Sequence, residues 1–410
     1  MKCGLLGRKL SHSYSPQIHK FLGDYSYTLA EREPEELDTF FAQLPFDSLN
    51  VTIPYKKDVL PYCAELTPQA KRLGSVNTII KRPDGTLIGH NTDYFGFSSM
   101  VEKSGLKVSG KKVLVLGSGG ASVTAVAVMQ ELGANVINIS RSGENNYENI
   151  CMHADASVIV NCTPVGMYPN TGSSPVSLDV FPALEGVLDM IYNPARTQLL
   201  QDAEARGLVA ENGLWMLVAQ AKESAEWFTG QPIADTKIQQ IHNTLTKEME
   251  NIILIGMPGC GKSTVGALLA SGLGREFMDA DAAIVRHAGI SIPEIFSRYG
   301  ESIFRKIETE VLQDLGKRSG LVIATGGGCV SKAENYAALH QNGTIVYIER
   351  ALSALPTDGR PLSQSGKLQE MYAVRQPLYQ RFADLSVENN GTPADTVAQI
   401  ISLLELENHQ

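Results

Sequence analysis

Short unbroken apolar runs, each followed by a glycine or polar turn and then by a longer apolar stretch, recur along this chain. KKVLVLG at 111–117 is one such run, and it reads as a strand buried on both faces. A glycine turn follows, then ASVTAVAVMQELG, which predicts a helix, then a second strand, NVINIS at 135–140. Strand, loop, helix, strand is the order of a βαβ unit with parallel strands. ASVIVNC and GVLDMIY read as further parallel strands of the same sheet. Upstream, the short runs NVTIPY and SVNTII alternate with helical stretches such as EELDTFFAQL, which predicts a separate α/β domain. Downstream, TKIQQIHNTLTKEM places Ile238, Ile241, Leu245 and Met249 at helical spacing, and NIILIG starts a new strand directly after it. A domain boundary is therefore expected near 246–250 with almost no linker, and a further α/β domain of about the usual ~150 residues follows.

Composition agrees with this division. A chain of 410 residues is too long for one core, and 43% hydrophobic with 19% charged residues is ordinary for a water-soluble protein. No apolar run reaches the ~18 residues of a membrane span, and the run in MKCGLLGRKLSHS is too short for a signal peptide. A net charge of −9 argues against a broad nucleic-acid surface. The six cysteines are scattered without a C-x-x-C pair, so reduced thiols and a cytoplasmic location are expected. Neither a nucleic acid nor a membrane is expected as a partner; small molecules are.

The stretch GMPGCGKST at 256–264 fits the phosphate-binding pattern G-x-x-x-x-G-K-[ST], between a predicted strand and a predicted helix. In such a loop the backbone N–H groups of Gly259, Cys260 and Gly261 face phosphates. Lys262 then reaches the outer phosphates of ATP, Ser263 ligands Mg²⁺, and Thr264 opens the helix. FMDADAAIV is expected to end a strand with Asp279 and Asp281 on one face, one for the metal shell and one for a substrate hydroxyl. Capping of the following helix is the alternative role for either acid. FRKIE supplies Arg305, ATGGGCV supplies Gly326, Gly327 and Gly328, DGRPLS supplies Arg360, and VRQPLYQRFAD supplies Arg375. Three glycines in a row make either a tight turn or a place where backbone approaches a ligand.

Taken in order, these pieces resemble the shikimate kinase family from Asn251 to about Leu404. The resemblance implies that Asp279 helps hold Mg²⁺ and that Asp281 binds the ring hydroxyls of shikimate beside the reacting oxygen. It implies that Arg305 and Arg375 grip the substrate carboxylate, that Gly326, Gly327 and Gly328 line the pocket, and that Arg360 faces ATP from a lid. RALSALPTDG, between Glu349 and Arg360, is shorter than that family's lid and lacks its further arginines.

VLGSGGAS at 115–122 follows G-x-G-x-x-S, without the third glycine of a dinucleotide loop. The end of the next strand carries Ser140 and Arg141 in place of an acid, which favours the 2′-phosphate of NADP over the ribose of NAD. KLSHSYSPQIH, NVTIPYKKD, GSVNTI and GHNTDYFG gather hydroxyl, amide, amine and carboxylate groups beside strands, as a pocket for a polyhydroxylated ligand would. With VNCTPVGM, DMIY and GLWMLVAQA they resemble shikimate dehydrogenase from residue 3 to about 246. The resemblance assigns Lys56 and Asp93 as the catalytic pair. It gives Ser13 and Ser15 the substrate carboxylate with Tyr192 nearby, and Thr52, Asn77 and Gln220 the ring hydroxyls. Gly117, Ser118, Gly119, Gly120 and Ala121 would face the pyrophosphate, with Gly213 and Met216 near the nicotinamide. After Arg141 stand Gly143, Glu144 and Asn145, where that family often has another base.

The expected architecture is α/β throughout: a substrate domain at 1–103 completed by 213–247, a Rossmann-type NADP domain at 104–212, and a P-loop kinase domain with a parallel sheet at 248–410. The expected chemistry is NADPH-dependent reduction of 3-dehydroshikimate to shikimate, followed by its phosphorylation with ATP and Mg²⁺. A quinate/shikimate dehydrogenase using NAD, or a non-catalytic regulatory role for one half, are the alternatives.

Overall fold

Residues 1–10, 13–355 and 365–406 are described by the structure, a computed structural model. The chain divides into two units, one of Met1–Met167 with Ser173–Thr244, the other of Leu245–Gln410 with the short segment Tyr168–Gly172. The change of unit at 244/245 falls inside the helix Thr236–Met249, whose Ile238, Ile241, Leu245 and Met249 are all buried, as their spacing predicts. Among the described residues no helix is long and apolar enough to cross a membrane.

The first unit holds two sheets. Strands β1 (Lys2–Gly7), β2 (Ser26–Glu31), β3 (Ser48–Val51), β4 (Glu65–Leu66), β5 (Thr78–Lys81) and β6 (Leu87–His90) form a mixed sheet of order β2-β1-β3-β5-β6-β4. EELDTFFAQL becomes a 3₁₀ turn, Pro34–Glu36, and a helix, Leu37–Gln43, because Pro34 ends the preceding extended chain and sets the first turn. That helix buries Phe40 and Phe41 with Leu6, Leu49, Val51 and Ile79 against one face of the sheet. The centre of this sheet is antiparallel: Asn50 pairs with Thr78, and Thr78 with His90. The register therefore brings the end of β3, the start of β5 and the end of β6 to one edge.

The second sheet is wholly parallel. It contains β7 (Lys112–Leu116), β8 (Asn135–Ile139), β9 (Val158–Asn161), β10 (Gly186–Asp189) and β11 (Val209–Glu211) in the order β11-β10-β9-β7-β8. The predicted βαβ unit is present, with the helix Gly120–Glu131 between β7 and β8. The edge strand β11 has no counterpart in the apolar pattern, because its three residues, VAE, lie exposed or half-buried at the rim.

The second unit carries a parallel sheet of β12 (Asn251–Ile255), β13 (Glu276–Asp279), β14 (Leu321–Ala324), β15 (Gly343–Glu349) and β16 (Leu385–Glu388), ordered β13-β14-β12-β15-β16. Its central strand β12 is buried along its whole length, which is why NIILI is unbroken. One expectation is corrected here. Asp279 and Asp281 do not share the face of an extended strand end. Asp279 closes β13 and caps the helix Ala280–Ala288, taking the Ala282 N–H at 3.1 Å, while Asp281 already lies in the first helical turn. A helix can start this early because an Asp at the cap satisfies a backbone donor that otherwise has no partner.

Candidate active sites

At the shared edge of β3, β5 and β6, Lys56 Nζ donates to Asp93 Oδ2 at 2.6 Å. Asp93 opens the helix Asp93–Ser104, and its other oxygen takes a hydrogen bond from Asn77 Nδ2 at 3.0 Å. Asn77 is buried, and its Oδ1 accepts the Thr92 N–H at 2.8 Å. Thr92 Oγ1 reaches Gln220 Oε1 at 3.4 Å, so Lys56, Asn77, Asp93 and Gln220 converge. The pair is not sealed off: the Lys56 side chain is 27% exposed and that of Asp93 15%. Thr52 follows β3 directly, its N–H donating to the Leu6 carbonyl at 2.9 Å.

Ser13 and Ser15 sit at the start of the helix Ser15–Leu22, with the Ser15 N–H donating to Ser13 Oγ at 3.2 Å. The ring of Tyr14, between them, meets that of Tyr192 edge-on with centroids 6.1 Å apart. The structure thus puts Tyr192 beside the Ser13–Ser15 turn, and burial pushes its phenol upward from the usual range. Strand β10 ends in a carboxyl that the sequence reading passed over. Asp189 is fully buried, takes hydrogen bonds from Asn161 Nδ2, Thr197 Oγ1 and the Ile191 N–H, and is raised by burial to about 6.

On the cofactor side, Gly117 has φ +117°, and a Cβ there would come within 3.2 Å of the Cys162 carbonyl. Its own carbonyl is held by Asn138 Nδ2 and Ser122 Oγ, both at 2.8 Å, so the turn into the helix Gly120–Glu131 is fixed from two sides. Ser118, Gly119, Gly120 and Ala121 make that turn, and Gly119 and Gly120 have open space where a Cβ would go. Arg141 stands exposed past the end of β8, in a turn closed by the Ser140 N–H on the Asn145 carbonyl at 3.1 Å. An accessible helix N-terminus with an exposed cation past the next strand fits a dinucleotide bearing a 2′-phosphate. Gly213 is required where it stands, because a Cβ would lie 2.2 Å from the Met190 carbonyl. That approach sets the helix Leu214–Thr229, with Met216 and Gln220, against the end of β10.

In the second unit Gly259 and Gly261 both have positive φ, +85° and +104°. The loop is braced by a residue the motif does not include: Asn389 Nδ2 donates to the Cys260 carbonyl at 2.7 Å. Lys262 is buried and donates to the carbonyls of Gly256 at 2.9 Å and Met257 at 3.0 Å, inside the loop. Ser263 Oγ donates to Asp279 Oδ2 at 2.7 Å, and Thr264 is exposed on the first turn of the helix Lys262–Leu273. A hydroxyl and one carboxylate suit Mg²⁺, which takes few protein oxygens and completes its shell from phosphate and water.

Beyond β14 the three glycines meet the other predicted groups. A Cβ on Gly326 would fall 2.8 Å from Asp281 Oδ1, and one on Gly328 would fall 2.2 Å from Arg305 Nη1. The Gly327 carbonyl accepts from Arg375 Nη1 at 3.2 Å and from the hydroxyl of Tyr379. Asp281, Arg305, Arg375 and Gly326–Gly328 therefore surround one place. Arg360 lies outside the described residues. Glu308 was missed, although it ends the FRKIE stretch that supplied Arg305. It is 1% exposed, and its Oε2 accepts from Arg305 Nη1 at 2.7 Å. Burial pushes its carboxyl up against the lowering effect of the Arg305 cation. One helical turn, i to i+3, was the available signal.

Comparison with known proteins bears on both units. The family model described as "Shikimate dehydrogenase substrate binding domain" matches residues 5–79, and that described as "Shikimate kinase" matches 258–405. A shikimate dehydrogenase (NADP(+)) of Caldicellulosiruptor bescii is 35% identical over 257 residues, 55% of this chain and 89% of that protein. The structure of shikimate dehydrogenase 1 from Peptoclostridium difficile aligns with a TM-score of 0.56 and 36% identity, over 60% of this chain and 98% of that one. A chorismate mutase/shikimate 5-dehydrogenase fusion protein from Clostridium acetobutylicum aligns with a TM-score of 0.56 and 35% identity, over 59% of this chain and 96% of that one. The chain belongs to the shikimate dehydrogenase family through its N-terminal part, and joined to it is a shikimate kinase domain.

Proposed function

We infer that this chain is a bifunctional enzyme that reduces 3-dehydroshikimate to shikimate with NADPH and then phosphorylates shikimate with ATP and Mg²⁺. The observation that carries the reading is that each unit holds a full polar set of its own: Lys56–Asp93–Asn77 in one, and Lys262, Ser263, Asp279, Asp281, Arg305 and Arg375 in the other. Residues 1–103 with 213–247, 104–212 and 248–410 serve as substrate, cofactor and kinase domains in this reading. We also assign the protein to the cytoplasm, which suits six free thiols.

In the reduction, NADPH supplies the hydride. The chain's part is to place the ketone and to neutralise the alkoxide that develops on its oxygen. Lys56, held by Asp93, donates a hydrogen bond and then a proton to that oxygen. Asn77, Thr52 and Gln220 bind ring hydroxyls, and Ser13, Ser15 and Tyr192 bind the carboxylate. Exposed Arg141 reads the 2′-phosphate, which favours NADPH over NADH. In the kinase unit, Asp281 accepts from the attacking hydroxyl while Arg305 and Arg375 hold the substrate carboxylate. Lys262 and the Ser263–Asp279 pair neutralise charge on the phosphates and their metal, so catalysis is mainly positioning and electrostatics.

Initial rates with 3-dehydroshikimate and NADPH, with quinate and NAD, and with shikimate and MgATP test this assignment. The first and third combinations are expected to give the high kcat/KM values. A preference for quinate with NAD, or an inert kinase unit, would replace the assignment with one of the alternatives.

A further inference from the structure

Behind the Lys56–Asp93 pair lies a buried polar cluster that the reaction described above does not use. At its centre is Ser224, 0% exposed within the helix Leu214–Thr229. Its Oγ accepts from Asn50 Nδ2 at 2.8 Å and donates to the Gln220 carbonyl at 3.0 Å. It also lies 2.9 Å from Thr78 Oγ1 and 3.0 Å from Thr92 Oγ1. A helical serine commonly bonds back to the carbonyl four residues earlier, and that accounts for the Gln220 contact alone. The other three contacts leave the helix and reach β3, β5 and the turn before Asp93.

Thr78 and Thr92 are what connect Ser224 to the pair. Thr78 Oγ1 reaches Asn77 Oδ1 at 3.1 Å, and the Thr92 backbone N–H donates to that same oxygen at 2.8 Å. Because Asn77 Oδ1 receives a backbone N–H, the amide has one orientation, and Nδ2 is the atom presented to Asp93 Oδ1 at 3.0 Å. Asp93 in turn holds Lys56. We propose that Ser224 is a positioning residue of the dehydrogenase site: through Thr92, whose hydroxyl donates to it and whose N–H holds Asn77 Oδ1, and with Thr78 packed against it, Ser224 locks the Asn77 amide on Asp93 and so aims the Lys56 ammonium at the substrate carbonyl. The same hydroxyl ties that pair to the helix carrying Met216 and Gln220. This inference rests on the assignment of Lys56 and Asp93 as the catalytic pair.

Removing the hydroxyl leaves no buried donor without an acceptor. Asn50 Nδ2 keeps the Asn77 carbonyl at 3.2 Å and Thr78 Oγ1 at 3.1 Å. A Ser224→Ala chain is therefore expected to retain its fold and to lose the lateral restraint on Thr78 and Thr92. Sub-ångström displacement of a proton donor is enough to slow its step.

The experiment is steady-state reduction of 3-dehydroshikimate by the full-length Ser224→Ala protein, in H₂O and D₂O, with Lys56→Ala measured beside it. We expect kcat to fall roughly tenfold with the KM for NADPH within about twofold of wild type, because the lost restraint acts on the chemical step. The solvent isotope effect on kcat is expected to rise, as proton donation by Lys56 becomes slower. A wild-type kcat overturns the inference. So does a fall in kcat that only tracks the fraction of protein able to bind NADPH and leaves the isotope effect unmoved. If the alanine variant does not fold, Ser224→Cys, nearly the same size with a weak hydrogen-bonding group, is read by the same criteria. A Lys56→Ala protein of undiminished rate overturns the catalytic assignment, and the inference with it. A crippled Lys56→Ala beside an unaffected Ser224→Ala overturns the inference alone.

Discussion

Replacing Lys56 by alanine removes the ammonium that the structure places on Asp93, and its effects on chemistry and on folding differ in size. The side chain is 27% exposed and its partner 15%, so the ion pair is only partly desolvated. After the replacement Asp93 still holds Asn77 Nδ2 at 3.0 Å and still reaches solvent, so the loss of stability is about 1–2 kcal/mol. The loss in catalysis is larger. A positioned proton donor contributes ~10²–10⁴-fold, about 2.7–5.5 kcal/mol of barrier. The assay is the fall in NADPH absorbance with 3-dehydroshikimate, together with NADPH affinity and shikimate phosphorylation on the same sample. Reduction is expected to drop by at least ~100-fold while NADPH binding and phosphorylation stay near wild type. A kcat/KM within about threefold of wild type would refute the argument, because no general acid lost from a barrier costs so little. An equal loss of phosphorylation would show that the substitution acts through folding.

Arg141→Ala is expected to weaken NADPH by roughly tenfold or more and NADH little, measured by titration, because a charge-assisted contact to the 2′-phosphate is worth ~1.5–3 kcal/mol. Gly328→Ala puts a methyl 2.2 Å from Arg305 Nη1, a guanidinium already held by Glu308, so the KM for shikimate should rise with that for ATP unchanged. For Asp189, burial raises the carboxyl from 3.8 to about 6, so between those values the folded chain keeps a proton that the unfolded chain has lost, and stability falls as pH rises. Asp189→Asn removes that component. The variant should gain relative to wild type by at most about 3 kcal/mol from pH 4 to 6 and no further above it, read from the urea midpoint for loss of NADPH binding.

The parts of the sites that were legible in the sequence are those whose chemistry is local. The loop from Gly256 to Ser263 needs its glycines, lysine and serine consecutively, because one turn of backbone surrounds the phosphates. The inner strands β7 and β9 were equally plain, since strands buried on both faces are largely apolar. Groups that meet across the fold were not legible. Asn50 and Ser224 touch at a separation of 174 residues, and nothing in ESAEWF marks its serine as a hub. For Glu308 the sequence offered no more than its i, i+3 spacing from Arg305, and its 1% exposure and its contact with Arg305 single it out in the fold. For Asp279 and Asp281 the sequence pattern misled about the backbone, because the cap at Asp279 starts the helix before the second acid.

The most direct measurement is a one-pot reaction with 3-dehydroshikimate, NADPH and MgATP, with every product quantified over time. If both activities reside in this chain, NADPH is oxidised, shikimate appears and is consumed, and shikimate 3-phosphate accumulates until it matches both the NADP⁺ and the ADP formed. Shikimate that accumulates without being phosphorylated, or ATP consumption without NADPH oxidation, would contradict the claim that one polypeptide carries out the two steps.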